Sequence, residues 1–160
     1  MRINGGNGMK NVTIKIIGKH IHDNIEEEQL ELVTEAEMFE RNGVLYLMYE
    51  ESEFSGMEGA KTRLRIGENK LKMTRLGEGT STDGVTEMLF QEGKRFEDSY
   101  PTPIGVVEME MLTNSYKSTM TYDQTGELDV DYTVSLKGLS EGRSKLHIEF
   151  IGEKSEEISK

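Results

Sequence analysis

The sequence contains no cysteine, which excludes disulfide frameworks, thiolate metal sites and cysteine nucleophiles and suits a reducing compartment. A cytoplasmic location is therefore expected. No apolar run is long enough for a secretory h-region or a membrane span, so a membrane association is not expected. Basic residues are scarce, with 19 Lys and Arg against 30 Asp and Glu and a net charge of −11. That field repels a phosphate backbone, whose counterions only Lys and Arg displace, so nucleic acid is a poor partner. Nucleophile, phosphate-cradle and cofactor motifs with their proper context are also missing, and neither a catalytic residue nor a cofactor is expected.

What is present suits one domain. A chain of 160 residues, 34% hydrophobic and 31% charged, buries about two thirds of its unfolded surface without staples. Residues 1–10 include the Gly/Asn-rich RINGGNG of Arg2 to Gly8, with Met9 as a candidate start, and are expected to form a disordered leader. Residues 11–152 are expected to make the domain, and the charged residues 153–160 a disordered tail.

The dominant pattern is alternation of period two in runs separated by turn residues. Val12, Ile14 and Ile16 are apolar while Thr13 and Lys15 point the other way, as a half-buried strand requires. Glu26 to Arg41 is rich in helix formers, but a strand aligns Leu30, Leu32, Ala36 and Met38, and Asn42-Gly43 suits a type I′ hairpin turn into Val44 to Glu50. Glu92-Gly93-Lys94 reads as another tight hairpin between Val85–Gln91 and Arg95–Tyr100, followed by Pro101 and Pro103. Ile104–Thr113, Ser115–Tyr122, Leu128–Lys137 and Arg143–Ile151 read as further strands, the first two joined at Asn114. With no helix to cover a sheet, this predicts an all-β protein, an antiparallel up-and-down barrel of about eight to ten strands closed to remove its edges.

Lys15 to Gly18, the hairpin FERNGVLYLMYE of Phe39 to Glu50, the strand Leu71 to Gly77 with Arg75, and Tyr100-Pro-Thr-Pro-Ile-Gly105 occur in an order and spacing, with Thr113 and Tyr132 beyond them, that resembles the YwiB-like bacterial proteins of unknown function. An aromatic often stands in that family where this chain has Ile104. The resemblance implies a small cytoplasmic barrel of calycin or lipocalin-like fold and implies no activity.

Candidate site residues come from polar positions in the inward register. Arg75 follows Leu71 and Met73, and Tyr116 precedes Met120; a buried Arg requires a carboxylate, from Glu50 or Glu108, or a ligand anion. Tyr46, Tyr49, Tyr100 and Tyr132 add hydroxyls on rings that pack. With Glu50 and Thr113 they form the candidate ligand-binding set. His20, His22 and His147 have no stated reason to converge, so no metal site is expected. Gly138-Leu-Ser-Glu-Gly142 has the letters of a nucleophile elbow but joins two strands, not a strand and a helix. The leading expectation is a non-catalytic barrel that holds a small, partly apolar, anionic molecule, as a monomer or homodimer. The alternative is a filled barrel acting as a protein-interaction or structural module.

Overall fold

The structure, a computed structural model, describes residues 7–22, 25–50, 60–77, 85–102, 105–123, 125–136 and 140–153. They form ten strands: β1 (Asn7–His22), β2 (Ile25–Arg41), β3 (Val44–Glu50), β4 (Ala60–Ile66), β5 (Lys70–Gly77), β6 (Val85–Gln91), β7 (Arg95–Thr102), β8 (Gly105–Ser118), β9 (Glu127–Leu136) and β10 (Ser140–Glu153). All neighbours are antiparallel, in the order β6-β5-β4-β3-β2-β1-β10-β9-β8-β7. The first and last strands pair, so the meander is a nearly closed up-and-down barrel with its seam between β6 and β7. Among the described residues no helix is long and apolar enough to cross a membrane.

Local chemistry accounts for most of the strands. Val12 and Ile14 are fully buried, and Ala36 and Met38 on β2 are buried beside them, which settles Glu26 to Arg41 as strand. Asn42 and Gly43 both have positive φ, 52° and 78°, the geometry a type I′ turn demands, and Arg41 pairs with Val44 across it. β1 begins at Asn7 and pairs through Lys10 with Met38, so strand structure starts earlier than residue 11.

Two expectations are corrected. Ile104–Thr113 and Ser115–Tyr122 are not two strands: β8 runs through to Ser118, and the register shift between Thr113 and Ser115 makes Asn114 a bulge. One residue is too short to reverse a chain, whereas it is the length of a bulge insertion. The turn at Glu92-Gly93-Lys94 does not make a paired hairpin, because β6 pairs with β5 while β7 pairs with β8. Its backbone groups go to β8 instead: the Gly93 N–H donates to the Thr113 carbonyl at 2.8 Å and the Thr113 N–H donates to the Lys94 carbonyl at 3.2 Å. Pro101 sits on β7, an edge strand at the seam, where a missing N–H costs no ladder bond.

The core fills from every side of the barrel. Ile14, Met38, Leu47, Leu64, Leu71, Phe90, Met111, Leu128 and Ile148 have no exposed surface, each contributing about 1.5–3 kcal/mol by leaving water. Met73, Met109 and Met120 join them, so much of the methionine content is core. Antiparallel alternation sends the links after β1, β3, β5, β7 and β9 to one end of the barrel. At the opposite end, the Tyr116 hydroxyl donates to the Gly67 carbonyl at 2.8 Å, and the Tyr122 hydroxyl donates to the Gly8 carbonyl.

Candidate functional site

The ladders line up polar side chains into two inward-facing rows. On one half of the barrel Tyr49 pairs with Thr62, and Thr62 with Arg75. On the other half Thr113 pairs with Tyr132, Tyr132 with Ser144, and Ser144 with His20. Tyr49, Arg75 and His20 lie towards the end from which the odd-numbered links leave, while Thr113 lies beside the β6–β7 turn of the opposite end. Thr62, Thr113, Ser144 and Tyr49 are all buried, and only His20 is exposed, at the rim.

The charge of Arg75 on one row acts on Tyr132 of the other. Burial, the largest influence, pushes its hydroxyl above the ordinary phenol value, while the hydrogen bond from Ser144 and the positive charge of Arg75 pull it back. That guanidinium belongs to β5 and the phenol to β9, so the coupling crosses the barrel. Phe90 of β6 also reaches Tyr132, edge to face, with ring centroids 4.9 Å apart and planes at 64°. Ser144 Oγ lies 2.9 Å from His20 Nδ1, which carries the hydrogen-bonded chain out to the rim. Thr113 Oγ1 is buried and has no hydrogen-bond partner among the described residues. A buried hydroxyl left without one costs about 1–3 kcal/mol, so this atom faces the interior as an unmet donor and acceptor.

Outside the barrel, an ion pair spans the Tyr132–Ser144 rung from its two neighbours. Arg143 Nε and Nη2 donate to Asp131 Oδ1 and Oδ2 at 2.8 and 2.6 Å, and Asn114 Nδ2 donates to Asp131 Oδ1 at 3.1 Å. The Arg143 hydrogen bond is the main reason the Asp131 carboxyl is held below its ordinary value, against a smaller opposing effect of burial. The same bond to Asp131 raises Arg143.

Of the residues proposed from sequence, Tyr49, Arg75, Thr113 and Tyr132 lie on the two rows. Tyr116 is buried in the same interior but its hydroxyl is committed to Gly67, and burial pushes its pKa up to about 12. Tyr46 is a correction: its neighbours Leu45 and Leu47 take the inward positions, and its ring stacks on Phe39 at 4.8 Å while its hydroxyl accepts from Arg65 Nε. Period-two alternation puts it on the outer wall. Glu50 is exposed at the end of β3, and Glu108 is exposed on β8, both on the outward register. Glu50 and Tyr49 line a cleft of about 600 Å³ with Thr34, Ala36 and Lys61, where β3 parts from β2 beyond the Glu37–Met48 pair. Tyr100 falls on β7 opposite Val107, but its side chain lies outside the described residues.

Ser144 and His20 went unrecognised as partners. Ser144 was legible as the inward step before Leu146 and Ile148, but its meeting with His20 depends on β1–β10 pairing across nearly the whole sequence. His147 points out of the barrel from the rung of Ile17, so it shares no site with His20. Ser140 opens β10 opposite Leu136, strand against strand, so the elbow-like letters there have no helix to work with.

A family described as a domain of unknown function, DUF1934, matches residues 14–148. The chain belongs to this family. Within it, the ladder rungs that carry Arg75, Thr113, Tyr132, Ser144 and His20 all fall inside the matched span. A search of curated proteins finds no match. Among solved structures, the crystal structure of the YwiB protein from Bacillus subtilis is similar, with 17% identity and a TM-score of 0.70. The likeness covers 92% of this chain and 96% of that one, and it establishes a shared fold.

Proposed function

We propose that this DUF1934 protein is a non-catalytic barrel that binds a small, partly apolar anion. What supports the reading is that the charge of Arg75 acts on Tyr132, and that Thr113 Oγ1, on the rung of Tyr132, is buried with no hydrogen-bond partner among the described residues. A guanidinium with hydroxyls around it matches a carboxylate or phosphate, supplying one fixed charge and several short donors. The Phe90 ring against Tyr132 supplies an apolar surface next to that head group. Few precisely placed polar groups in an apolar lining are what a small-molecule site requires. The cleft beside Tyr49 and Glu50 is the route of entry this reading assigns. The reading places the protein in the cytoplasm, as a monomer or homodimer.

A second reading, a filled barrel acting through its outer face, draws support from the many interior side chains with no exposed surface. Native mass spectrometry of protein purified from its own host, then denatured, separates the two. The binding reading expects a stoichiometric small molecule that is released on denaturation; a clean apo mass sides with the filled barrel. Arg75→Ala then assigns the anchor: affinity for the released molecule should fall at least tenfold with the melting temperature kept. A lower melting temperature with unchanged affinity would mean that Arg75 is structural.

A further inference from the structure

The outer wall carries a second constellation, independent of the interior. On β9 and β10 the alternation that turns Leu128, Val130, Leu146 and Ile148 inward turns Glu127, Asp129, His147 and Glu149 outward. The ladder sets His147 opposite Asp129 and Glu149 opposite Glu127. His147 Nδ1 lies 2.7 Å from Asp129 Oδ1, while its Nε2 lies 2.9 Å from Glu149 Oε1 and 3.4 Å from Glu127 Oε1. One ligand-type atom each from Glu127, His147 and Glu149 lies within 4.8 Å of the others.

We propose that His147 Nε2 and the carboxylates of Glu127 and Glu149 form a binding site for a divalent transition-metal ion of the zinc type, with Asp129 as a positioning residue. The two ring nitrogens have distinct surroundings. Both nitrogens stand at hydrogen-bond distance from carboxylate oxygens, which only accept, so each carries a proton in this arrangement; a metal ion would displace the proton on Nε2 while Asp129 keeps the one on Nδ1, the role a carboxylate takes behind a metal-bound histidine. Nε2 then faces two carboxylates and no other described group. Like charges directly opposite on a ladder repel, and Glu127 and Glu149 both turn towards Nε2; the imidazolium offsets part of that repulsion, and a dication in place of the Nε2 proton would offset more. One imidazole and two carboxylates suit zinc and its first-row neighbours, with remaining positions left to water. Lys15 sits opposite Glu149 on β1 and its charge acts on that carboxylate, while its Nζ lies 3.3 Å from Glu31; Arg143 is held by Asp131.

The test is titration of the full-length, metal-free chain with Zn²⁺ and with Co²⁺ by calorimetry and visible absorption. One ion per chain is expected, with a Co²⁺ d–d spectrum. His147→Gln should abolish that stoichiometric binding, Asp129→Asn should weaken it about 10- to 100-fold, and Arg75→Ala should leave it unchanged. The long-range ¹⁵N spectrum of the unmodified chain gives a check that needs no variant: Zn²⁺ should shift Nε2 of one histidine and leave its Nδ1 protonated. No saturable binding, or binding by His147→Gln equal to that of the parent, would overturn the site.

Discussion

Arg143 grips Asp131 with two parallel hydrogen bonds of 2.8 and 2.6 Å on the outside of the barrel, one residue away in sequence from the inward pair Ser144 and Tyr132. The ion pair therefore bridges diagonally across the rung that carries the inward pair. Asn114, the extra residue of the β8 bulge, closes on Asp131 from the other side. The bulge, the ion pair and the interior row hold one another in register.

The carboxyl of Asp131 is held below its ordinary value, principally by the Arg143 hydrogen bond. A depressed folded-state value means stability that is present above the unfolded carboxylate range and is lost as pH falls through the folded one. Asp131→Asn should cost about 1 kcal/mol or less at neutral pH, the range for a surface pair of good geometry. Urea denaturation at pH 7 and below pH 3 checks it: the gap between parent and variant should narrow in acid, and a constant gap would remove the ion pair as its cause.

Thr113→Val keeps the shape of the buried side chain and removes its unpartnered oxygen. In ligand-free protein, stability should hold or rise by about 1–3 kcal/mol, the cost of an unmet buried hydroxyl. Affinity for any molecule recovered from the native protein should fall. A clear loss of stability in the thermal melt would show that the oxygen has a structural partner.

Tyr116 gives a signal at high pH. Its pKa stands at about 12 against an ordinary 10.0, because burial disfavours the phenolate. The raised value means stability that is complete below the unfolded phenol range and disappears as pH climbs from about 10 to about 12. Tyr116→Phe should remove one late step from the ultraviolet phenolate titration and cost about 0.5–1.5 kcal/mol through the bond to Gly67. A titration curve unaltered at its upper end would contradict the assignment.

Gly126 has φ of 100°, and a Cβ there would lie 2.0 Å from the Thr119 carbonyl oxygen. Both facts belong to the β8–β9 link, where the Thr119 N–H donates to the Glu127 carbonyl. Gly126→Ala should destabilise by at least about 1–3 kcal/mol, the scale of a strained backbone position. Denaturant unfolding measures it, and a variant as stable as the parent would mean that the link relaxes freely.

Much of the architecture was readable residue by residue. Alternation in β1, β3 and β9, and the positive-φ pair Asn42-Gly43, follow from local backbone geometry, which neighbours a few positions apart determine. Arg75 was legible in the same way, as the next inward step after Leu71 and Met73. Tyr46 has outward parity by the same rule, and on the wall it packs against Phe39.

What tertiary structure alone decided is who meets whom. Asn114 has the composition of a turn, and only the continuous pairing of β8 with β9 makes it a bulge. Glu92-Gly93-Lys94 has the composition of a hairpin, yet its backbone groups bond to Thr113 once closure brings β8 alongside. His20 reaches Ser144 because β1 pairs with β10, and the charge of Arg75 acts on Tyr132 because the sheet curls into a nearly closed ring. The physical reason is common to all four: period and turn chemistry act over a few residues, whereas closure and register are settled by the whole sheet as it buries its core.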